Sequence, residues 1–186
     1  VCCVLFDEFH ERRRDADLAF TLLTEARPLL NPDLAVVVMS ATLDLSDLRM
    51  RLPHATVLES EGRAFPVVTI HQPPRSEEPL SHQVLRAIES HALNLPQGSG
   101  VLVFLPGLKE IRRCQGLLAD STSLINWSIQ TLHGQMPLSE QSKALQRCGP
   151  DQSGSIVLAS AIAESSVTVD GVVLVIDSGL SRQLRY

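Results

Sequence analysis

Asp7 and Glu8 stand side by side at the end of an uninterrupted apolar run in VCCVLFDEFHE, with His10 two positions further on. A run with no polar alternation suits a strand buried on both faces, as in a parallel sheet covered by helices. In such sheets ligands sit beyond the carboxyl ends of the strands. Two adjacent carboxylates there are costly without a positive partner, and Mg²⁺ is the usual one. A strand ending in paired acids is therefore a way for a nucleotide-hydrolysing enzyme to hold its metal and aim its water. The same string also suits a strand followed by an ordinary acidic turn, so the rest of the chain must decide.

A second apolar run, Leu34 to Met39, ends in Ser40-Ala41-Thr42, which again places hydroxyls at a strand tip. Between the two runs, Leu18, Leu22, Ala26 and Leu29 recur at helical spacing. Asp15 is a candidate cap for that helix, and Pro28 with Asn31-Pro32 a candidate stop. A short helix over 44–51 and a third strand over 55–58 are expected next. Polar, proline-rich residues 72–79 mark the best boundary in the sequence. Beyond it, a helix over 80–93, a strand over 101–105 stopped by Pro106-Gly107, and a helix over 108–118 are expected. A strand over 127–132, a helix opening with Pro137 in its first turn and buried strands over 156–159 and 172–176 complete the pattern. The polar stretch Ser160 to Gly171 lies between the last two strands and is expected at the ligand edge. Strands alternating with helices give an α/β protein of parallel sheets with flanking helices and right-handed crossovers. The reading is of two sheet domains, the first incomplete: residues 1–72, a linker over 73–79, and residues 80–186.

The bulk properties narrow the function. A length of 186 residues allows one large or two small cores. No apolar run is long enough to span a membrane, and no leader is visible, so a cytoplasmic protein is expected. The net charge of −5 supplies no global basic field for nucleic acid. Local clusters at Arg12-Arg13-Arg14, Arg112-Arg113 and Arg182 with Arg185 read first as solvated surface. The four cysteines, at 2, 3, 114 and 148, lack zinc-ligand spacing and are read as buried reduced thiols of a cytosolic protein. Cys2, Cys3 and Trp127 are assigned to core packing.

Taken in order, the blocks Asp7-Glu8-Phe9-His10, Ser40-Ala41-Thr42, Glu61-Gly62-Arg63 with Phe65-Pro66-Val67, Val103 to Gly107 with Glu110-Ile111, His133-Gly134 with Pro137, Glu140 and Gln141, and Ala163 to Gly171 with Asp177-Ser178-Gly179 resemble the motifs of DEAH/RHA-type superfamily 2 helicases, most closely the bacterial HrpB branch. The resemblance covers essentially the whole chain, and it implies RecA-like domains, NTP hydrolysis (ATP or another NTP, with Mg²⁺) and movement on single-stranded nucleic acid, RNA before DNA. Carried over by residue, Asp7 would hold Mg²⁺ mostly through water, and Glu8 would orient and deprotonate the attacking water. His10 would link the nucleotide site to the second domain, while Ser40 and Thr42 would couple hydrolysis to strand movement. Thr168 and Asp170 would meet the nucleotide ribose, with Ser160 and the Pro106-Gly107 loop along the nucleic-acid backbone. Residues 62–67 would form part of the interdomain joint.

Three departures qualify that picture. Ser160-Ala161 stands where the family usually has Thr-Asn, so one amide contact is lost. No G-x-x-x-x-G-K-[ST] loop occurs, the only lysines being Lys109 and Lys143. The Q-x-x-G-R-x-G-R block with its arginine finger is also absent. A fragment running from motif II to motif V, inactive alone, is therefore expected. The alternative is a truncated or degenerate helicase that only binds nucleic acid or a protein. A different P-loop machine sharing the Asp7-Glu8 strand is the remaining reading.

Overall fold

The computed structural model describes residues 2–40, 48, 50–60, 65–160 and 169–181. Thr42, Arg63, Ala161 and Thr168, and most of the helix expected over 44–51, lie outside them. The chain divides into two compact units, Val1–Pro66 and Val67–Tyr186.

In the first unit β1 (Cys3–Phe6) and β2 (Ala35–Val38) pair in parallel, Cys3 opposite Ala35 and Phe6 opposite Val38. The crossover is α1 (Arg14–Leu30), as a parallel pair requires. Its packing differs from the sequence expectation. The stripe Leu18, Leu22, Leu29 faces water, and Phe20 is the residue it buries, at 2% exposure. Phe20 packs edge-on against Phe6, with ring centroids 5.4 Å apart, and lies 5.2 Å from the ring of Phe9. Leu18 and Phe20 lie on opposite sides of a helix, so seating the aromatic cluster turns the leucines outward. The two strands are accordingly covered on one side only. Val4, Phe6, Val36 and Val38 are half-buried, while Cys3, Leu5, Ala35 and Val37 are exposed, which corrects the expectation of strands buried on both faces. Cys2 and Cys3 are likewise exposed and are not core residues.

Local details differ too. Arg13, not Asp15, is the N-cap of α1, without a side-chain cap bond. The helix continues through Pro28 to Leu30, where Asn31 ends it. Among the described residues, 55–58 join neither sheet; the Ala55 amide donates instead to the Leu52 carbonyl, closing a local turn. The Arg12-Arg13-Arg14 cluster is met by local acids: Arg12 Nε lies 3.2 Å from Asp17 and Arg13 Nε 2.6 Å from Glu11.

The second unit is a four-stranded parallel sheet of β3 (Ser99–Phe104), β4 (Trp127–Leu132), β5 (Gly154–Ala159) and β6 (Val172–Asp177), in the spatial order β4-β5-β3-β6. One face carries α2 (Leu80–His91) and α3 (Leu108–Ala119). There Val84 and Ile88, Ile111 and Leu118, Val101 and Val103, and Ile156 and Leu158 form one aliphatic core. The other face is smaller, with Leu102, Leu132, Val157 and Ala159 against Leu145 and Val169, beside the short α4 (Leu138–Ala144). Pro137 is the N-cap of α4 rather than its first helical residue. β3 and β5 have a neighbour on each side, whereas β6 is an edge strand that leaves Val173 and Val175 exposed, not a buried one.

Residues 73–79 are tied to α2. Arg86 makes two side-chain hydrogen bonds to Glu78, Nε to Oε1 at 2.9 Å and Nη2 to Oε2 at 2.8 Å, and Nη2 also donates to the Pro73 carbonyl. The backbone amide of Arg75 donates to Glu78 Oε2 and the Gln83 side chain to the Glu78 carbonyl. The Arg86 fork, then the Arg75 amide, hold the Glu78 carboxyl down from 4.5 to about 2. A depressed carboxyl stabilises the fold fully above the unfolded value and loses that contribution as pH falls through the folded one. Unfolding by urea is therefore expected to become easier from pH 4.5 down towards 2, and Glu78→Gln to flatten that part of the profile. An unchanged slope in the variant would assign the acid sensitivity elsewhere.

Burial, with Glu110 nearby, pushes the Cys114 thiol up to about 11. Iodoacetamide at pH 8 is expected to alkylate Cys2 and Cys3 in the folded chain and spare Cys114 until denaturant is added, since the thiolate is the nucleophile. Mass spectrometry of labelled peptides checks this.

Candidate active site and nucleic-acid interface

In the first unit the chain leaves β1 at Asp7 and folds over the tip of β2. The Met39 amide donates to the Phe6 carbonyl (2.8 Å) and the Phe9 amide to the Met39 carbonyl (3.1 Å). Asp7 and Glu8 therefore stand at the C-terminal end of the strand pair, with Ser40 following the neighbouring strand. Asp7 is exposed, and its Oδ1 accepts the Glu8 amide at 2.8 Å. Glu8 is half-buried and left-handed, at φ 49° and ψ 40°. That conformation costs a non-glycine residue about 1–2 kcal/mol and is held only where the surroundings over-determine it. The anchor is Phe9, at 6% exposure, packed on Phe20 and covered by the Arg12 guanidinium 5.6 Å from its ring centroid. Phe9, Phe20 and Arg12 are the positioning residues that motif reading passes over; the Phe-x-x-Phe spacing of Phe6 and Phe9 is their one sequence signal.

His10 is exposed, with Nδ1 3.4 Å from Glu8 Oε2. Within the first unit it is thus a local partner of Glu8. Among the described residues no group of three or more His, Cys, Asp or Glu side chains is arranged to hold a metal. Among the described residues at this strand tip, Asp7 offers an exposed carboxylate with one oxygen uncommitted to Glu8. A single hard oxygen donor fits Mg²⁺, which keeps several waters and takes phosphate oxygens, better than an ion needing an all-protein cage.

In the second unit the C-terminal strand ends collect a different set. Ala159 pairs with Phe104, and the Leu105 amide donates to the Ala159 carbonyl, so Pro106-Gly107 and Ser160 are adjacent. The Ser160 amide donates to the Leu132 carbonyl, fixing it beside the end of β4. The chain after β3 turns onto the α2–α3 face, and Val169, after β5, packs on the other. In parallel α/β sheets ligands bind beyond the C-terminal ends of the strands. Ser160, Pro106 and Gly107 stand half-buried at that edge.

Asp170 is elsewhere. The Gly100 amide donates to the Gly171 carbonyl, which places Asp170 and Gly171 at the N-terminal edge of the sheet. A six-residue strand separates the two edges by roughly 20 Å. The stretch from 160 to 171 therefore begins at the ligand edge and ends at the opposite one, correcting the expectation that all of it lies together.

Both units are thus parallel α/β layers with polar side chains delivered at strand tips, the architecture of RecA-like helicase domains. The helicase conserved C-terminal domain matches residues 81–185, more than half of the chain, and the chain belongs to that family. It is similar to the ATP-dependent RNA helicase HrpB of Escherichia coli, at 38% identity over 183 residues, covering 98% of this chain and 22% of that protein. It is also similar to the probable ATP-dependent RNA helicase DHX34 of Mus musculus, at 32% identity over 98% of this chain and 17% of that protein. The crystal structure of the E. coli DEAH/RHA helicase HrpB superposes with a TM-score of 0.85 at 36% identity, over 100% of this chain and 23% of that one. The DEAH-type resemblance read from the motifs holds, and the chain spans about a fifth of the length of these relatives. Among the described residues no helix is long and apolar enough to cross a membrane.

Proposed function

We propose that this chain is the central portion of an ATP-dependent RNA helicase of the DEAH type. Residues 1–72 are then the C-terminal part of one RecA-like domain and residues 80–186 most of the next. The observation that carries the reading is the Asp7-Glu8 pair at the C-terminal tip of a parallel strand pair, with Glu8 locked left-handed. Asp7 would hold Mg²⁺, and when bound the ion supplies charge neutralisation to the triphosphate. Glu8 takes the proton of the attacking water, and His10 at 3.4 Å keeps its carboxylate aimed. Ser40 and Thr42 couple the nucleotide state to strand movement. Ser160, Pro106 and Gly107 lie along a single-stranded backbone, where hydroxyls and amides position phosphates without reading sequence.

Steady-state ATP hydrolysis by the longer protein, with RNA or DNA oligonucleotides added, tests the reading. Turnover stimulated by RNA more than by DNA is expected. Nucleic-acid binding with no hydrolysis would overturn the enzymatic assignment in favour of a binding module. The 186-residue chain alone is expected to show background turnover, since no loop in its sequence has the pattern that cradles phosphates.

A further inference from the structure

At the N-terminal end of β2, away from Asp7 and Glu8, Arg27 and Arg51 line one cavity of about 270 Å³. Its other walls are mainly apolar, Pro28, Pro32, Val36 and Leu52, and no carboxylate lines it. The Nε of Arg27 is buried without a hydrogen-bond partner. Among the described residues the arginine ion pairs of the unit use Arg12, Arg13 and Arg14, and neither of these two. Thr24, the remaining polar wall, already donates its hydroxyl to the Phe20 and Thr21 carbonyls, so the two arginines are the lining residues with donors still unused. Buried donors are satisfied almost without exception in folded proteins, and an orphan points to a ligand or ordered solvent.

We propose that Arg27 and Arg51 form a binding site for a phosphate group on a compact ligand. Two guanidinium side chains lining one cavity suit a dianion with several oxygens, whereas a carboxylate would neutralise only one of them. Apolar walls strengthen that attraction by excluding water. In a chain of net charge −5, this is a local concentration of positive charge that the bulk composition conceals. The site is independent of the helicase reading, because none of its residues belongs to the strand-tip clusters.

The phosphate can come from a free small molecule or from a nucleic-acid backbone, and calorimetry on the 186-residue chain separates the two. Inorganic phosphate titrated at constant ionic strength is expected to bind saturably at one site. Arg51→Gln and Arg27→Gln should each weaken binding by about tenfold or more, while Arg27→Lys, keeping the charge but not the fork, should lose less. Arg51 is exposed, so its variant leaves folding intact even if Arg27→Gln does not. Arg112→Gln, on an exposed face of the other unit, should change nothing. Competition by a 12-residue RNA would identify the source as a nucleic-acid backbone, and its absence a small phosphate ligand. No saturable phosphate binding, or binding unaltered by Arg51→Gln, would overturn the proposal.

Discussion

Glu8→Gln in the longer protein is expected to cut RNA-stimulated ATP hydrolysis by about 10²–10⁴-fold, the range typical of a lost general base. The substitution is isosteric, so the left-handed turn, the Phe9 anchor and the neighbouring Asp7 remain as they are. ATP and RNA affinities should therefore stay within about twofold, the pattern of an interaction made only in the transition state. His10→Ala, which frees the Glu8 carboxylate from its 3.4 Å partner without removing it, should cost less. Rapid-quench turnover and equilibrium binding on the same preparations make the comparison. A loss below about tenfold for Glu8→Gln would remove Glu8 from proton transfer.

Gly154→Ala is expected to destabilise the second unit by about 2–4 kcal/mol, a large effect for one methyl group. A Cβ there would lie 2.5 Å from the Ser99 carbonyl oxygen and 2.5 Å from Cζ3 of Trp127. The indole could rotate aside. The carbonyl could not, because Ser99 is the register partner of Gly154 and moving it breaks the β3–β5 ladder. Gly116, exposed within α3, has nothing within 4 Å of its Cβ position. Its alanine variant should gain about 0.5–1 kcal/mol through helix propensity alone. Urea titration followed by the fluorescence of Trp127, the single tryptophan, reads both variants. A loss under about 1 kcal/mol at position 154 would mean the strand ends yield more easily than their packing implies.

The contrast between those two glycines shows what sequence reading reaches. The strand over 127–132 coincides with β4, and the helices after Pro79 and Gly107 lie close to where expected, because continuous aliphatic runs and stop signals are local. What escaped depends on contacts distant in sequence. Leu18-Leu22-Leu29 and Phe20 are equally helical in spacing, and only the rings of Phe6 and Phe9 decide which side turns inward. The apolar runs of β5 and β6 look alike, but strand order makes one central and the other an edge. Asp170 shares a loop with Ser160 in the sequence, yet a parallel connection must return to the starting edge before the next strand, so the two part. The Glu78–Arg86 fork joins a proline-rich stretch to a helix eight residues on, and neither residue announces it. That Asp7, Glu8, Ser40, Pro106, Gly107 and Ser160 stand at strand tips was legible because a strand's end follows directly from where an apolar run stops.

The β4-β5-β3-β6 order has an evolutionary corollary. Its polar groups ride on turns, and the aliphatic rows beneath, Val101 and Val103 against Ile156 and Leu158, bear the mechanical load. Exchanging a turn changes the polar groups at the sheet edge without disturbing its foundations, so the chemistry of that edge is free to drift while thermal tolerance stands still.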